Sequence, residues 1–168
     1  MPAGLKQSSA VVPIGFSVTE SAANTFTQTQ IDLNLSPLDR EVFVVLAVNL
    51  DSGVPETITG TNTAVRTRLT STSQTDIVNL DNANCMAALS HFTESDGDSA
   101  VGYSSQALET PPSTLEYIGI IATNDFFVSI AGTNNVKEKG ASGKLYGYRA
   151  IASADIYAAL VQSEVLSA

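Results

Sequence analysis

Two side chains of types common in catalysis occur once each in this sequence. His91 is the only histidine and Cys85 is the only cysteine, and a nucleophilic mechanism would need one of them beside a base or an orienting carboxylate. Their closeness in sequence does not place them together in space, and no Gly-x-Ser-x-Gly elbow is present. The apolar residues that follow Cys85 favour a buried structural thiol. We therefore predict that the chain is not an enzyme and that His91 is a strand-end residue beside Phe92.

Three acidic residues form a second candidate site. Glu94, Asp96 and Asp98 alternate around Gly97, and carboxylates in a loop supply the hard oxygen ligands that Ca²⁺ prefers. The glycine comes too early for the Asp-x-Asp-x-Asp-Gly calcium loop. A solvated acidic loop is therefore favoured over a calcium site, and neither a metal nor another cofactor is predicted.

Basic side chains are few. The chain carries 8 lysines and arginines against 17 acidic residues, a net charge of −9, whereas phosphate binding needs clustered positive charge. The three lysines between positions 137 and 144 have Glu138 and no aromatic residue among them. We predict no direct contact with nucleic acid. Arg66 and Arg68 share one face of a predicted strand, where they either face solvent or pair with carboxylates of a neighbouring subunit.

Three tyrosines have two alternative roles. Tyr117, Tyr146 and Tyr148 are amphipathic rings that suit a sugar-binding face, a core or a protein interface. Strand periodicity alone accounts for them, so packing in a core or an interface is the favoured interpretation.

The element that must position all of these residues is the apolar stretch from Glu41 to Asp51. Its β-branched content predicts a strand that is apolar on both faces and central in a sheet. Strict alternation would put the even-numbered residues Val42 to Leu50 on one face and Phe43, Val45, Ala47 and Asn49 on the other.

Further strands are predicted on both sides of this one. Pro13 marks Ala10 to Thr19 as an edge strand, and Asn124-Asp125 predicts a hairpin turn between two apolar runs. Cys85 to Phe92 fits either a strand or a helical turn, Thr93 to Tyr103 reads as an acidic loop, and Glu109 to Ser113 as a rigid connector through its two prolines. The remaining strands and the runs beside the hairpin turn are Thr25 to Leu35, Ala64 to Thr72, Leu115 to Thr123, Phe126 to Gly132 and Lys144 to Ala152.

One helix is predicted at residues 153–166. Ser153 is a suitable N-cap, and an apolar stripe follows at helical spacing. So short a helix needs a surface to pack on, which makes its stripe a candidate interface. The stripe consists of Ile156, Tyr157, Leu160, Val161 and Val165.

Composition and element count together predict an all-β protein. At 168 residues with 43% hydrophobic content the chain is expected to fold as one β-sandwich domain over residues 10–168, with residues 1–9 as a flexible arm. A jelly roll is the favoured topology and an immunoglobulin-like sandwich the second choice. Charged residues are only 15%, which suits a surface that packs against neighbours. Neither a signal peptide nor a membrane span is predicted.

In its polar arm, apolar strand ladder, Ser/Thr/Asn-rich connections and terminal helix, the chain resembles single jelly-roll capsid or capsid-associated proteins of bacterial and archaeal viruses. Glu41 to Asp51 and Lys144 to Ala152 carry the resemblance most strongly. It implies a self-assembling capsid or decoration subunit in the virion, with copies of itself and other virion proteins as partners. It departs from genome-packaging shell proteins, since the arm has only Lys6 as a basic residue. The alternatives are a carbohydrate-binding or adhesin module and an extracellular filament or surface-layer subunit, located outside the cell or on its surface.

Overall fold

The structure is a computed structural model that describes residues 2–107 and 115–168. The connector predicted at Glu109 to Ser113 lies outside the described residues. In chain order the described elements are β1 (Leu5–Gln7), β2 (Val12–Thr19), β3 (Thr27–Asp32), β4 (Glu41–Ser52), β5 (Thr63–Thr70), β6 (Cys85–Ser95), β7 (Ala100–Ala107), β8 (Gly119–Ile121), β9 (Asp125–Thr133), β10 (Gly140–Ala152) and α1 (Ala154–Leu166).

The strands form two antiparallel sheets. The first sheet has the order β10–β4–β8, with β1 and β2 both paired to the other side of β10, and the second sheet has the order β3–β9–β5–β6–β7. Four strand pairs are nested along the chain: β2 with β10, β3 with β9, β4 with β8, and β5 with β6. A long hairpin whose nested pairs are divided between two packed sheets is a jelly roll. The predicted β-sandwich is therefore confirmed.

The core lies between the two sheets. Phe16 of β2 meets Phe126 of β9 edge to face, with ring centroids 5.8 Å apart, which is a favourable arrangement for two aromatic rings. Fully buried aliphatic side chains from both sheets fill the remaining space, among them Val48, Leu69 and Ile130. This core fixes the separation and orientation of the two sheets.

Strand β4 is central in the first sheet and buried on both faces, as predicted. The alternation predicted for it is wrong, because the pairing with β10 contains a β-bulge: Tyr146 pairs with Ala47 and Gly147 with Val45. Leu46 is the extra residue, and it reverses the facing of the residues after it in β4. The core therefore receives Phe43 and Val45 before the bulge but Val48 and Leu50 after it.

Several other strands match their prediction. Strand β2 is an edge strand paired to β10 alone among the described residues, and it tolerates Pro13 there. The alternation of β5 buries Val65 and Leu69 as expected, and Leu33, directly after β3, is buried too. The segment from Cys85 is a strand, and most of the stretch predicted as an acidic loop is the β6–β7 hairpin.

The predicted hairpin at Asn124-Asp125 is wrong. Its two arms belong to different sheets, since β8 pairs with β4 whereas β9 pairs with β3 and β5. Asn124 instead bridges to the chain after β3: its carbonyl accepts the Leu33 N–H at 2.8 Å and its side-chain oxygen accepts the Leu35 N–H. The residue that looked like a tight-turn former holds the β8–β9 connection against the β3–β4 connection.

Helix α1 covers the outer face of the first sheet. Ile156, Tyr157, Leu160 and Val161 pack against a second apolar cluster built from Val42, Val44, Tyr148 and Ala150. Ser153 occupies the N-cap position, although its side chain makes no capping bond. The first residues also differ from the expected flexible arm, because Leu5–Gln7 pairs with the end of β10 and Leu5 is buried in the same cluster.

Candidate functional site

The structure separates the two residues with catalytic potential. Cys85 begins β6 and His91 lies six positions further along the same extended strand, about 20 Å away at the strand rise. Burial raises the pKa of the Cys85 thiol, which disfavours the reactive thiolate. The two residues do not form a nucleophile–base pair.

The three acidic residues of the candidate calcium site are not brought together. One carboxylate oxygen of Asp96 accepts the N–H groups of Asp98 and Ser99 at 3.0 and 2.9 Å, and these bonds lower the pKa of Asp96. Glu94 accepts the hydroxyl of Tyr103 instead. No group of three or more His, Cys, Asp or Glu side chains in the described residues is arranged to hold a metal ion. Asp96 organises the β6–β7 turn.

Arg68 is buried within the chain and does not face solvent. Its side chain is 4% exposed, and its guanidinium donates to the carbonyls of Val78, Thr67 and Leu89 at 2.7–3.1 Å and to the hydroxyl of Ser90. Burial lowers its pKa. These bonds anchor the β5–β6 connection over the outer face of the second sheet. The guanidinium of Arg68, which was expected either to face solvent or to pair with a neighbouring subunit, therefore bonds within the chain.

Arg66 takes part in an exposed aromatic stack on the same face. Its guanidinium carbon lies 5.6 Å from the centre of the Phe92 ring, and Phe92 stacks on Tyr103 with centroids 5.0 Å apart and 24° between planes. The Tyr103 hydroxyl donates to Glu94 at 3.1 Å, and this bond raises the pKa of Tyr103. Tyr103 is 48% exposed. The sequence missed this stack, because Tyr103 was assigned to a loop.

The three tyrosines considered for a sugar-binding face do not form an exposed platform. Tyr148 is buried and Tyr117 is half-buried in the cluster beneath α1, while Tyr146 is half-buried on the same sheet face. Apolar packing accounts for the positions of Tyr117 and Tyr148.

The helix residues predicted to contact a neighbouring subunit fall into a half-buried group and an exposed group. Four of them, Ile156, Tyr157, Leu160 and Val161, are half-buried against the first sheet. Val165 is exposed, as is Leu166 beside it at 75%. The end of α1 is therefore the part of the helix with apolar side chains open to a partner. No helix of the described residues is long and apolar enough to cross a membrane.

Glu164 attaches the end of α1 to the sandwich. One carboxylate oxygen accepts the N–H groups of Ala122 and Thr123 at 2.8 and 3.3 Å, and the other accepts the Thr123 hydroxyl at 2.6 Å. The residue is only 6% exposed, and this burial raises its pKa. Nothing in the sequence distinguishes this glutamate from an ordinary surface residue of the helix.

The raised pKa of Glu164 predicts a pH dependence. The folded state holds the proton more tightly than the unfolded chain, so the stabilisation by protonated Glu164 is complete below the unfolded pKa and is lost as pH rises through the folded pKa. Glu164→Gln should remove this loss while keeping the attachment, because an amide oxygen can accept the two N–H groups while its NH₂ donates to the Thr123 hydroxyl. Urea unfolding from pH 4 to 8 should show wild type losing stability relative to Glu164→Gln.

The control for this experiment is Glu164→Ala. It leaves the Ala122 N–H without its acceptor and should be less stable than Glu164→Gln at every pH. A constant difference between wild type and Glu164→Gln across the pH range would contradict the assigned role of the carboxylate.

A second buried carboxylate joins three segments at the opposite end of the sandwich. Glu20, directly after β2, is 3% exposed. Its two oxygens accept the Gly132 N–H of β9 at 2.6 Å and the Lys139 N–H before β10 at 2.8 Å, while its own N–H donates to the Lys139 carbonyl at 2.9 Å. Glu20 therefore supplies acceptors to backbone groups that lie outside the strand ladders.

Comparison with known proteins gives no family. No protein-family model matches the chain, and no curated protein matches it. Among solved structures, one described as Desmodium yellow mottle tymovirus aligns over 92% of this chain and 95% of its own, at 10% identity and a TM-score of 0.32. The tailspike protein gp49 of the Acinetobacter baumannii bacteriophage Fri1, a capsular polysaccharide depolymerase, aligns over 72% of this chain and 20% of its own, at 13% identity and a TM-score of 0.18. The fold assignment rests on the strand pairing described above.

Proposed function

We propose that this chain is a self-assembling structural subunit of a virion, as a capsid subunit or a decoration protein. The observation that carries the proposal is where its exposed apolar side chains lie. Leu38 lies before β4 and Val54 after it, at opposite ends of the sandwich, while Val101 lies on β7 and Leu166 at the end of α1. A ligand-binding protein concentrates such residues in one pocket, whereas a shell subunit meets different neighbours on several sides.

The sparse charge of the surface supports the same proposal. With 15% charged residues, desolvating this surface against a neighbour costs less than for an ordinary soluble domain. The jelly roll is found in viral capsid proteins, lectins and cupins. The tyrosines considered for sugar binding are buried or half-buried, Tyr117 and Tyr148 beneath α1 and Tyr146 elsewhere on that sheet, and the exposed stack of Tyr103 on Phe92 is a single pair of rings. We therefore place the carbohydrate-binding alternative second.

Electron microscopy and light scattering of the purified full chain test the proposal. We expect closed particles or defined oligomers, with association favoured by added salt, because each copy carries a net charge of −9 and salt screens the repulsion between copies. A protein that stays monomeric over the whole range of concentration and salt would overturn the proposal.

Leu166→Asp tests whether the end of α1 contributes to assembly. It removes an exposed apolar side chain and should raise the concentration needed for association by about tenfold. Gln162→Asp is the matched control, since Gln162 is exposed on the same helix and the change adds the same charge without removing an apolar group. Equal effects of the two variants would show that the helix end is not a contact.

A further inference from the structure

Strand β7 has an open edge. It is the outermost strand of the second sheet, and in the part of the chain that the structure describes it pairs with β6 alone. Its other side therefore presents a row of backbone N–H and C=O groups to which these residues offer no ladder partner. All side chains from Val101 to Ser105 are exposed, with Val101 at 63%.

The other edge strands are protected in ways that β7 is not. Strands β1 and β8 have three residues each, β2 carries Pro13, and β3 ends on the charged Asp32. Short length, proline and charge are the devices by which natural proteins prevent sheet edges from pairing. Strand β7 has eight residues, Ala-Val-Gly-Tyr-Ser-Ser-Gln-Ala, with no charge and no proline.

The β6–β7 turn determines which backbone groups point outward. The Asp96 N–H donates to the Ser99 carbonyl at 3.2 Å, so these two residues form a hydrogen-bonded pair, and such pairs alternate along an antiparallel ladder. By this register, Tyr103 forms hydrogen bonds to Phe92. Gly102 and Ser104 then direct their N–H and C=O groups to the open edge.

We propose that this edge pairs antiparallel with β7 of a second copy, across a two-fold axis at Tyr103. The inference rests on the proposed function and names one of its contacts. An axis at the middle of the strand keeps nearly all of the strand paired. It also sets Gly102 opposite Ser104 of the partner subunit, so that the outward N–H and C=O groups of one copy meet those of the other. The two Tyr103 side chains then face each other at the closely spaced position of the ladder and extend the stack on Phe92. A two-fold contact of this kind gives hydrogen-bond partners to both strand edges and produces a closed dimer.

Disulfide trapping tests the pairing and its register. In a chain that also carries Cys85→Ser, Tyr103→Cys places two thiols across the axis, within the Cα separation that a disulfide spans. It should give a covalent dimer under mild oxidation. Ser105→Cys is the matched control on the same strand face: its two copies would lie about 14 Å apart, too far to join, and it should stay monomeric on a non-reducing gel.

Ser104→Pro tests the same edge without cysteine. It removes an outward N–H and no bond to β6, and it should raise the concentration for half-association in sedimentation by about tenfold or more. Ser104→Thr keeps the N–H and should associate like wild type, with circular dichroism verifying the fold of both variants. This contact would be wrong if the wild-type chain assembles but the Tyr103→Cys variant gives no cross-link, or if Ser105→Cys cross-links equally well. Either result would leave the proposal of assembly standing. A wild-type chain that never associates would overturn both.

Discussion

Replacing Gly147 with alanine should lower the free energy of unfolding by about 3 kcal/mol or more. Gly147 lies at the β-bulge of the β4–β10 pair, where the β4 backbone leaves no room for a side chain. A Cβ atom there would fall well under 3.0 Å from the Val44 carbonyl oxygen and from the Phe43 ring. The carbonyl belongs to the backbone of the central strand, so relief requires β4 itself to shift. The expected fall in Tm is about 6–12 °C for a chain of this size.

The matched control for this substitution is Gly15→Ala. Gly15 is in β2, opposite Lys144 of the same strand β10, and a Cβ atom there meets nothing within 4 Å. Alanine lowers the conformational entropy of the unfolded chain, so we expect Gly15→Ala to be neutral or slightly stabilising. Thermal unfolding followed by circular dichroism measures both variants. If Gly147→Ala unfolds at the temperature of Gly15→Ala, the close approach of β4 and β10 is wrong.

The second large effect is expected for Glu20→Ala, at about 3 kcal/mol. The truncation leaves two backbone N–H groups, those of Gly132 and Lys139, without the acceptors that they have in the folded chain. The Gly132 N–H is buried, so water does not replace the carboxylate freely. Glu20→Gln keeps one acceptor but turns an NH₂ donor toward the other N–H. We therefore expect this variant also to have a lower free energy of unfolding than wild type.

Glu138→Ala is the control for Glu20→Ala. It makes the same chemical change at an exposed position of the connection next to Lys139, where surface substitutions usually stay within about 0.5 kcal/mol. Urea unfolding gives the free energies of the three variants and wild type. A loss for Glu20→Ala no larger than that for Glu138→Ala would mean that the buried carboxylate does not hold these loops together.

The features predicted correctly from the sequence are those that local pattern determines. Alternation placed Leu33, Val65 and Leu69 in the core because a strand has a period of two wherever its pairing is regular. Pro13 indicated an edge because proline removes a ladder donor. The central position of β4 followed from apolar residues on both of its faces, and the short helix required a surface, which the structure supplies through Val42 and Val44.

The features missed depend on partners that are distant in sequence. The bulge at Leu46 exists only in the pairing of β4 with β10, so no property of β4 alone reveals where its facing reverses. Asn124-Asp125 has the chemistry of a hairpin turn, but the arms beside it pair with other strands. The burial of Glu20 and Glu164 has no local sequence signal, because their hydrogen-bond partners lie far along the chain. The interface role given to Arg68 failed for the same reason, since carbonyls of β6 and of the β5–β6 connection hold its guanidinium.

The nested pairing of the strands also governs how the chain folds during synthesis. The innermost pair, β5 with β6, is available early, whereas β10, the neighbour of both β2 and β4, is the last of the described strands to be translated. Until β10 leaves the ribosome, β4 has only the three-residue strand β8 beside it among the described strands, and its long edge stays unpaired. Its outer face stays open until α1 follows. Such long-range pairing folds slowly and exposes the chain to aggregation in the meantime. Chaperone binding to the nascent chain should therefore persist until β10 and α1 have been made, so that β10 sets the time at which the folded sandwich is released.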